Sequence, residues 1–303
     1  MSTPAGPLEL GQVLAGRYQV DGLIAAGGFA VVYHGTQLAQ ERPVAIKALH
    51  VNVTASDPAA IERFVREAAI AAHLQHPNLV QILDFGKTRD DVLYMVMEQL
   101  HGEPLHVMLY EEPMSPRRVH HLLRQILDAL TFAHGQGLIH RDLKPSNVFL
   151  CKVFTSTDVD RREWVKILDF GMAKGIRKAG NIGQMMKVTL TLSGDRVGTP
   201  GYMAPEMMKD GALVTPLVDL YVAGLLGYEM LVGQKAFAGT GMARAVAQLD
   251  GDPPEPAGFI GGHPLYGIIR QLIARDPGQR FQSAEEALTA LDALDTAHGQ
   301  LWM

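Results

Sequence analysis

Apolar residues recur at strand spacing through the first hundred residues and at helical spacing after Gly102. That change of period points to an α+β chain in which a β-rich lobe precedes an α-rich one, the two joined near Gln99–Gly102. In the first part, Tyr18–Ala25 and Ala30–Thr36 flank a glycine pair and read as a hairpin, with further strands at Pro43–Leu49, Leu79–Phe85 and Val92–Glu98. One helix interrupts them, from about Ala59 to Leu74, with Asp57 as its cap, Pro58 in its first turn and Ile61, Phe64, Val65 and Ala68 at helical spacing. The second part reads as helices at Ser115–His134, Val214–Leu231, Ala243–Leu249, Pro264–Arg275 and Ser283–Thr296, the last opening on the capping-box spacing Ser283-x-x-Glu286.

Composition removes several function classes. A net charge of −5 over 303 residues does not suit a general nucleic-acid binder or a polybasic membrane anchor. The single cysteine, Cys151, rules out an internal disulfide framework and fits a reducing compartment. The longest apolar run, Leu217–Val232, is broken by Asp219, Gly224, Gly227 and Glu229, so it reads as a buried helix and not a membrane span. MSTPAGPLELG lacks the regions of a signal peptide, and a cytoplasmic location is the expectation.

Three places concentrate groups suited to chemistry. HRDLKPSN, His140–Asn147, sets a carboxylate between an arginine and a lysine and ends on an amide. IAAGGFAVVYHG joins two strands; Gly27 and Gly28 would let backbone N–H groups approach an anion, although any hairpin turn could look the same. Lys47 closes the apolar strand segment PVAIK, where it either snorkels to solvent or faces inward to hold phosphate oxygens. Its candidate counter-charge, Glu67, could equally form a surface pair with Arg63.

Together with Asp169–Gly171 (DFG), Gly198–Glu206 (GTPGYMAPE), an Asp219-containing helix and the late Arg280, these segments resemble the eukaryotic-type protein kinase family, nearest to the bacterial serine/threonine kinases, over about Leu10 to Ala297. The resemblance implies a bilobal fold, an antiparallel sheet with one regulatory helix followed by a mainly helical lobe. It divides the chain into a flexible extension (1–16), an N-lobe (17–98), a hinge (99–102), a C-lobe (103–297) and a tail (298–303).

The resemblance also implies roles. Lys47 would hold the α- and β-phosphates of ATP and pair with Glu67; Asp142 would accept or orient the proton of the acceptor hydroxyl; Lys144 would neutralise the γ-phosphoryl group; Asn147 and Asp169 would bind Mg²⁺, with Mn²⁺ as an alternative. Ile24, Ala25, Ala26, Gly27 and Gly28 would cover the phosphates. Val32, Ala45 and Phe149 would sandwich adenine, with Met97 as gatekeeper and the backbone of Glu98 and Leu100 as hinge partners; each apolar member could also be plain core. Glu206 with Arg280 is expected as a buried ion pair. The partners implied are proteins carrying serine or threonine, with a homodimer through the N-lobe as a further option.

Lys144 and Thr199 look like those of the serine/threonine class; by the same resemblance Thr199 would hydrogen-bond near Asp142 and Lys144 and help seat the acceptor, and Pro200–Ala204 would form the floor under the residue following the acceptor. Arg141, with Arg63 and Lys174, could receive a phosphate on Thr191 or Ser193 of VTLTLSGD, which implies autophosphorylation. Two departures stand out. Ala25 and Ala30 replace the first and third glycines of GxGxxG, which predicts a loop seated less closely on the phosphates, and CKVFTSTDVDRREW lengthens the chain between Asn147 and Asp169, reading as a surface hairpin extension in preference to a docking site. The rival readings are a pseudokinase scaffold, favoured only by the altered glycine loop, and a small-molecule phosphotransferase, disfavoured by GTPGYMAPE.

Overall fold

The computed structural model describes residues 6–27, 30–49, 68, 72–153, 162–169, 200–208 and 214–297. The described chain divides into two compact units: residues up to 76 together with 80–101 form one, and residues 77–79 join everything from 102 onward in the other.

The first unit is a six-stranded antiparallel sheet of β1 (Val13–Leu14), β2 (Tyr18–Ala26), β3 (Ala30–Gln37), β4 (Arg42–Leu49), β5 (Ile82–Lys87) and β6 (Leu93–Glu98), in the order β1-β2-β3-β4-β6-β5. Alternation along β4 sorts its side chains between two apolar layers. Val44, Ile46 and Ala48 join Val20, Val31, Tyr33 and Val96 on one face. Ala45 and Leu49 join Met95, Met97, Ile82 and Ala68 on the other. Residues 6–14, expected within a loose extension, instead pack against the first layer: Leu8 and Leu14 are buried there, and the Leu8 N–H donates to the Tyr33 hydroxyl at 3.3 Å. The apolar side chains of Leu8 and Leu14 decide this, because sheet surface they cover would otherwise face water. Of the helix predicted at 59–74, the described residues Ala68 and Ala72 are helical, and Ala68 is fully buried.

The second unit holds a three-stranded antiparallel sheet, β7 (Gly102–Pro104), β8 (Val148–Val153) and β9 (Arg162–Ile167), with the helices α1 (Leu105–Met108), α2 (Pro116–Gly135), α3 (Leu217–Val232), α4 (Met242–Asp250), α5 (Phe259–Gly262), α6 (Pro264–Leu272) and α7 (Ala284–Ala297). Ser115 caps α2 by accepting from the Arg118 N–H, with Pro116 at the first position. The Ser283 hydroxyl accepts from Glu286 N–H at 3.0 Å, and the Glu286 carboxylate reaches back to Gln282 N–H at 2.6 Å, a close variant of the expected capping box. α3 is buried on nearly every side and carries only two charges, Asp219 and Glu229. Gly224 lets α6 approach it: a Cβ there would lie 2.6 Å from Ile273 Cγ2 and 2.7 Å from Leu272 Cβ.

Two boundaries differ from expectation for physical reasons. Leu79 does not begin β5; it bridges to Ile167 in the second unit, where Asn78 Nδ2 donates to Gln125 Oε1 and Val165 O, and Trp164 Nε1 donates to Pro77 O. α6 stops at Leu272 and not at Arg275: the Ala274 N–H turns to Gln271 O, three residues back, at 3.3 Å, and the carbonyls of Ala274 and Arg275 beyond the helix accept from the Arg280 guanidinium. The extra segment after Asn147 does form a hairpin as far as it is described, paired from Val148–Ile167 out to Val153–Arg162.

Candidate active site

Asp219 organises the loop that carries Asp142. Its buried carboxylate accepts three N–H groups: His140 N at 2.7 Å and His134 Nε2 at 2.8 Å on Oδ2, and Arg141 N at 2.9 Å on Oδ1. Burial would push this carboxyl up, but these hydrogen bonds and the nearby histidines outweigh it and hold Asp219 below its usual value. The anchored residue Arg141 has φ = 64°, an uncommon conformation for a residue with a side chain, and directly precedes Asp142.

His140, fully buried, adds a second brace. Its Nδ1 accepts from Asp142 N–H at 3.2 Å while Nε2 lies 2.8 Å from Leu168 O, which fixes the neutral tautomer with the proton on Nε2. Burial lowers its pKa against the pull of Asp219, Asp142 and Asp169. The Asp142 carboxylate remains partly exposed, with Lys144 Nζ 2.8 Å from its Oδ2. Asn147, buried, donates from Nδ2 to Asp142 O at 2.8 Å, and this turns its side-chain oxygen away from that carbonyl.

The β8–β9 hairpin then brings Asp169 to the same place. Val148 pairs with Ile167, and the Leu168 N–H donates to Asn147 O at 2.8 Å, so Asn147 and Asp169 lie at one end of the hairpin. Asp169 also has positive φ, 60°. An amide oxygen and a carboxylate are hard oxygen donors of the kind a magnesium ion takes.

In the first unit, Val32, Ala45 and Met97 gather in one apolar layer. Register puts Val32 opposite Lys47, and Ala45 opposite Met97. Half-buried Lys47 shares this face by alternation with Ala45 and Leu49, the face that also receives Ala68. The Glu98 N–H is used by Gln81 O at 3.0 Å, so the backbone group Glu98 could offer a ligand is its carbonyl. Ile24, Ala25 and Ala26 end β2, and Gly27 N–H donates to Ala30 O at 2.9 Å. Ala25 and Ala30 sit in extended strands without positive φ, so the conformational restriction expected from these alanines does not arise. Leu100 is half-buried beyond β6, and half-buried Phe149 lies on β8 of the second unit. Gly28, Glu67, Thr199, Arg63, Lys174, Phe170, Thr189, Thr191 and Ser193 lie outside the described residues.

Sequence reasoning missed the polar cluster on the other end of α3. Glu229, noted only as a break in an apolar run, accepts hydroxyl hydrogen bonds from Tyr110 and Tyr202. The available signal was a second carboxylate, after Asp219, in a largely apolar and buried helix, where it must find partners.

A family model described as "Protein kinase domain" matches residues 18–290. The chain belongs to the protein kinase family. Among curated kinases, serine/threonine-protein kinase pkn3 of Myxococcus xanthus is 35% identical over 301 residues, covering 97% of this chain and 53% of that protein. PrkC of Bacillus subtilis is 32% identical over 292 residues, 94% of this chain and 42% of that protein. PknL of Mycobacterium tuberculosis is 35% identical over 292 residues, 95% and 68%. This kinase domain spans about half the length of the first two relatives. The crystal structure of the M. tuberculosis PknI kinase domain shares its fold with a TM-score of 0.69 at 24% identity, covering 96% of this chain and all of that one. The family generally uses ATP and Mg²⁺. Among the described residues no helix is long and apolar enough to cross a membrane.

Proposed function

We propose that this chain transfers the γ-phosphoryl group of ATP to serine and threonine hydroxyls of proteins. The observation that supports this best is the Asp142–Lys144–Asn147 arrangement: a half-exposed carboxylate, an ammonium 2.8 Å away and a buried amide fastened to the Asp142 carbonyl. Asp142 takes the acceptor hydroxyl proton, and Lys144 offsets charge on the transferring group. Asn147 and Asp169 hold magnesium, and Lys47, supported by Glu67, holds the α- and β-phosphates. Magnesium, when bound there, would supply positive charge to offset that of the phosphates. Ile24–Gly28 cover the phosphates, and Val32, Ala45, Phe149 and Met97 enclose adenine, with the Glu98 carbonyl and Leu100 N–H as its polar contacts. Thr199 helps seat the acceptor. Little covalent work falls to the protein, so holding these groups in place supplies most of the rate.

Autophosphorylation at Thr191 or Ser193 belongs to the same proposal and is supported by the exposed position of Arg141. Mass spectrometry of the chain and its Asp142→Asn variant, each made alone in a kinase-free host, tests it: phosphate at those sites in the variant contradicts it.

Labelled ATP–Mg²⁺ and a generic protein acceptor test the main reading. Label should enter the protein on serine or threonine, and Asp142→Asn should remove it while thermal unfolding is unchanged. Label entering a small molecule, or nothing at all, overturns the reading; the latter is the outcome for a pseudokinase scaffold.

A further inference from the structure

Glu229 sits on the last turns of α3, only 1% exposed, and its Oε2 receives two phenols: Tyr110 at 2.5 Å and Tyr202 at 2.6 Å, the two hydroxyls 3.2 Å apart. Oε1 accepts the Ala236 N–H at 3.3 Å. Tyr202 belongs to the 200–204 segment, the proposed floor under the residue following the acceptor. The same segment is gripped from α4, where Gln248 Nε2 donates to Gly201 O at 2.9 Å. Arg244, also on α4, fills the space beside Gly201 so closely that a Cβ there would lie 2.4 Å from its Cδ.

Tyr110 is the unusual member of this set. It comes from the short connection between α1 and α2, not from a packed helix, and it has φ = 75°. The left-handed region is costly for a residue with a side chain, so something must hold it there. Its ring carries the Lys235 ammonium at 5.6 Å, and its hydroxyl reaches past the connection to the carboxylate that Tyr202 already uses. One carboxylate oxygen thus ties a surface connection to the floor segment through two charge-assisted hydrogen bonds.

We propose that Tyr110 is a positioning residue for the acceptor: through Glu229 and Tyr202 it fixes the Pro200–Tyr202 floor on which the protein substrate is seated. This rests on the kinase reading above. It assigns specificity for the protein substrate, and not for the nucleotide, to a side chain that does not touch either reactant. A purely structural role would loosen the whole helical unit and affect both substrates alike.

The test is Tyr110→Phe in the whole chain, which keeps the ring beneath Lys235 and removes only the hydroxyl. With myelin basic protein as acceptor, its KM should rise about ten-fold, as expected for loss of one hydrogen bond to a carboxylate, while KM for ATP and kcat move by less than about two-fold. Glu229→Gln should raise the acceptor KM as well, and the double variant should be no worse than the stronger single, because both changes break one linkage. An unchanged acceptor KM, an equal rise in both KM values, or additive singles each overturn the positioning role. Amide hydrogen exchange serves as a readout independent of turnover: in Tyr110→Phe it should quicken at 200–208 with α3 unchanged, and uniform or absent quickening overturns the proposal. If the unaltered chain transfers no phosphoryl group, the kinase reading fails, and the exchange result still decides whether Tyr110 holds the segment.

Discussion

The carboxylate of Asp219 accepts the backbone N–H of Arg141 at 2.9 Å and so holds that residue at φ = 64°, one position before Asp142. Removing the carboxylate would leave the His140 and Arg141 N–H groups and His134 Nε2 without their shared acceptor, around a position that is itself buried. Asp219→Ala should therefore destabilise the protein by about 3–5 kcal/mol, the range for breaking a buried charged network. Urea unfolding measures it, and a loss below about 1 kcal/mol would mean that water or another group replaces the carboxylate. Phosphoryl transfer should fall further than stability alone explains, since Asp142 depends on the backbone Asp219 holds.

Stability should also depend on pH in a signed way. His140 has a lowered pKa when folded, so below its ordinary value of 6.5 the unfolded chain binds more protons. Its contribution is complete above that value and is lost as pH falls through the folded one. Asp219, also lowered, adds a second loss on the acid side of 3.8. Glu229 acts oppositely: burial raises its pKa despite the Tyr110 and Tyr202 hydrogen bonds, so its contribution is present below 4.5 and lost as pH rises. Unfolding free energy should fall on acidification from pH 7 to 5, and the slope should steepen in Glu229→Gln, where the opposing group no longer titrates. A shallower slope in that variant contradicts the assignment. The chemical basis for the His140 part is visible in its bonds: a proton added at Nδ1 displaces the Asp142 N–H it accepts.

The glycines separate two kinds of constraint. Among the described residues, a Cβ at Gly27 would meet nothing nearer than Ala30 O at 3.5 Å, and its φ is not in the left-handed region. Gly27→Ala should leave the melting temperature unchanged, and any effect should appear only in KM for ATP. Gly224→Ala should behave otherwise. Helix propensity favours alanine by about 1 kcal/mol, but the new methyl meets Leu272 Cβ and the Ile273 backbone, which cannot swing aside. Overpacking of that kind costs about 1–3 kcal/mol, so the substitution should lower the melting temperature. An increase would show that α3 and α6 can separate at little cost.

The sheet, the long helices and the charged positions around Asp142 were legible in the sequence because each leaves a local mark: a nearly continuous apolar run in β4, 3.6-residue spacing in α2, and a dense polar set beside an apolar strand. What the sequence hid was decided by groups far away along the chain. Leu79 left its expected strand because Asn78 is held by Gln125 and Val165, and the carbonyls just beyond α6 are occupied by Arg280, six and five residues on. Residues 6–14 look like a tail until the outer face of the sheet is seen to need Leu8 and Leu14. The Tyr110–Glu229–Tyr202 cluster draws on three separate segments, and although GTPGYMAPE and the carboxylate in an apolar helix each leave a mark, nothing local joins them to Tyr110. On the sequence alone, the alanines at 25 and 30 suggested a poorly seated loop; the structure places them in strands that any small residue can occupy.

Arg280 gives the sharpest stability prediction, because its partners require the geometry of a guanidinium. Its side chain is fully buried and forms a bidentate pair with Glu206, at 2.7 and 2.8 Å. The remaining N–H groups reach the carbonyls of Ala274, Leu217 and Arg275, and the group stacks 4.8 Å from the Tyr221 ring. A lysine keeps the charge but offers three donors on one atom, so it cannot span Glu206 and three carbonyls together. Arg280→Lys should cost about 3–5 kcal/mol, nearly as much as removing a partner outright. Glu206→Gln should cost less than Arg280→Lys, since the amide still accepts one of the two hydrogen bonds. Equilibrium unfolding of both variants checks the order, and a lysine that is tolerated better than the glutamine would show that charge, and not donor geometry, holds this corner of the helical unit together.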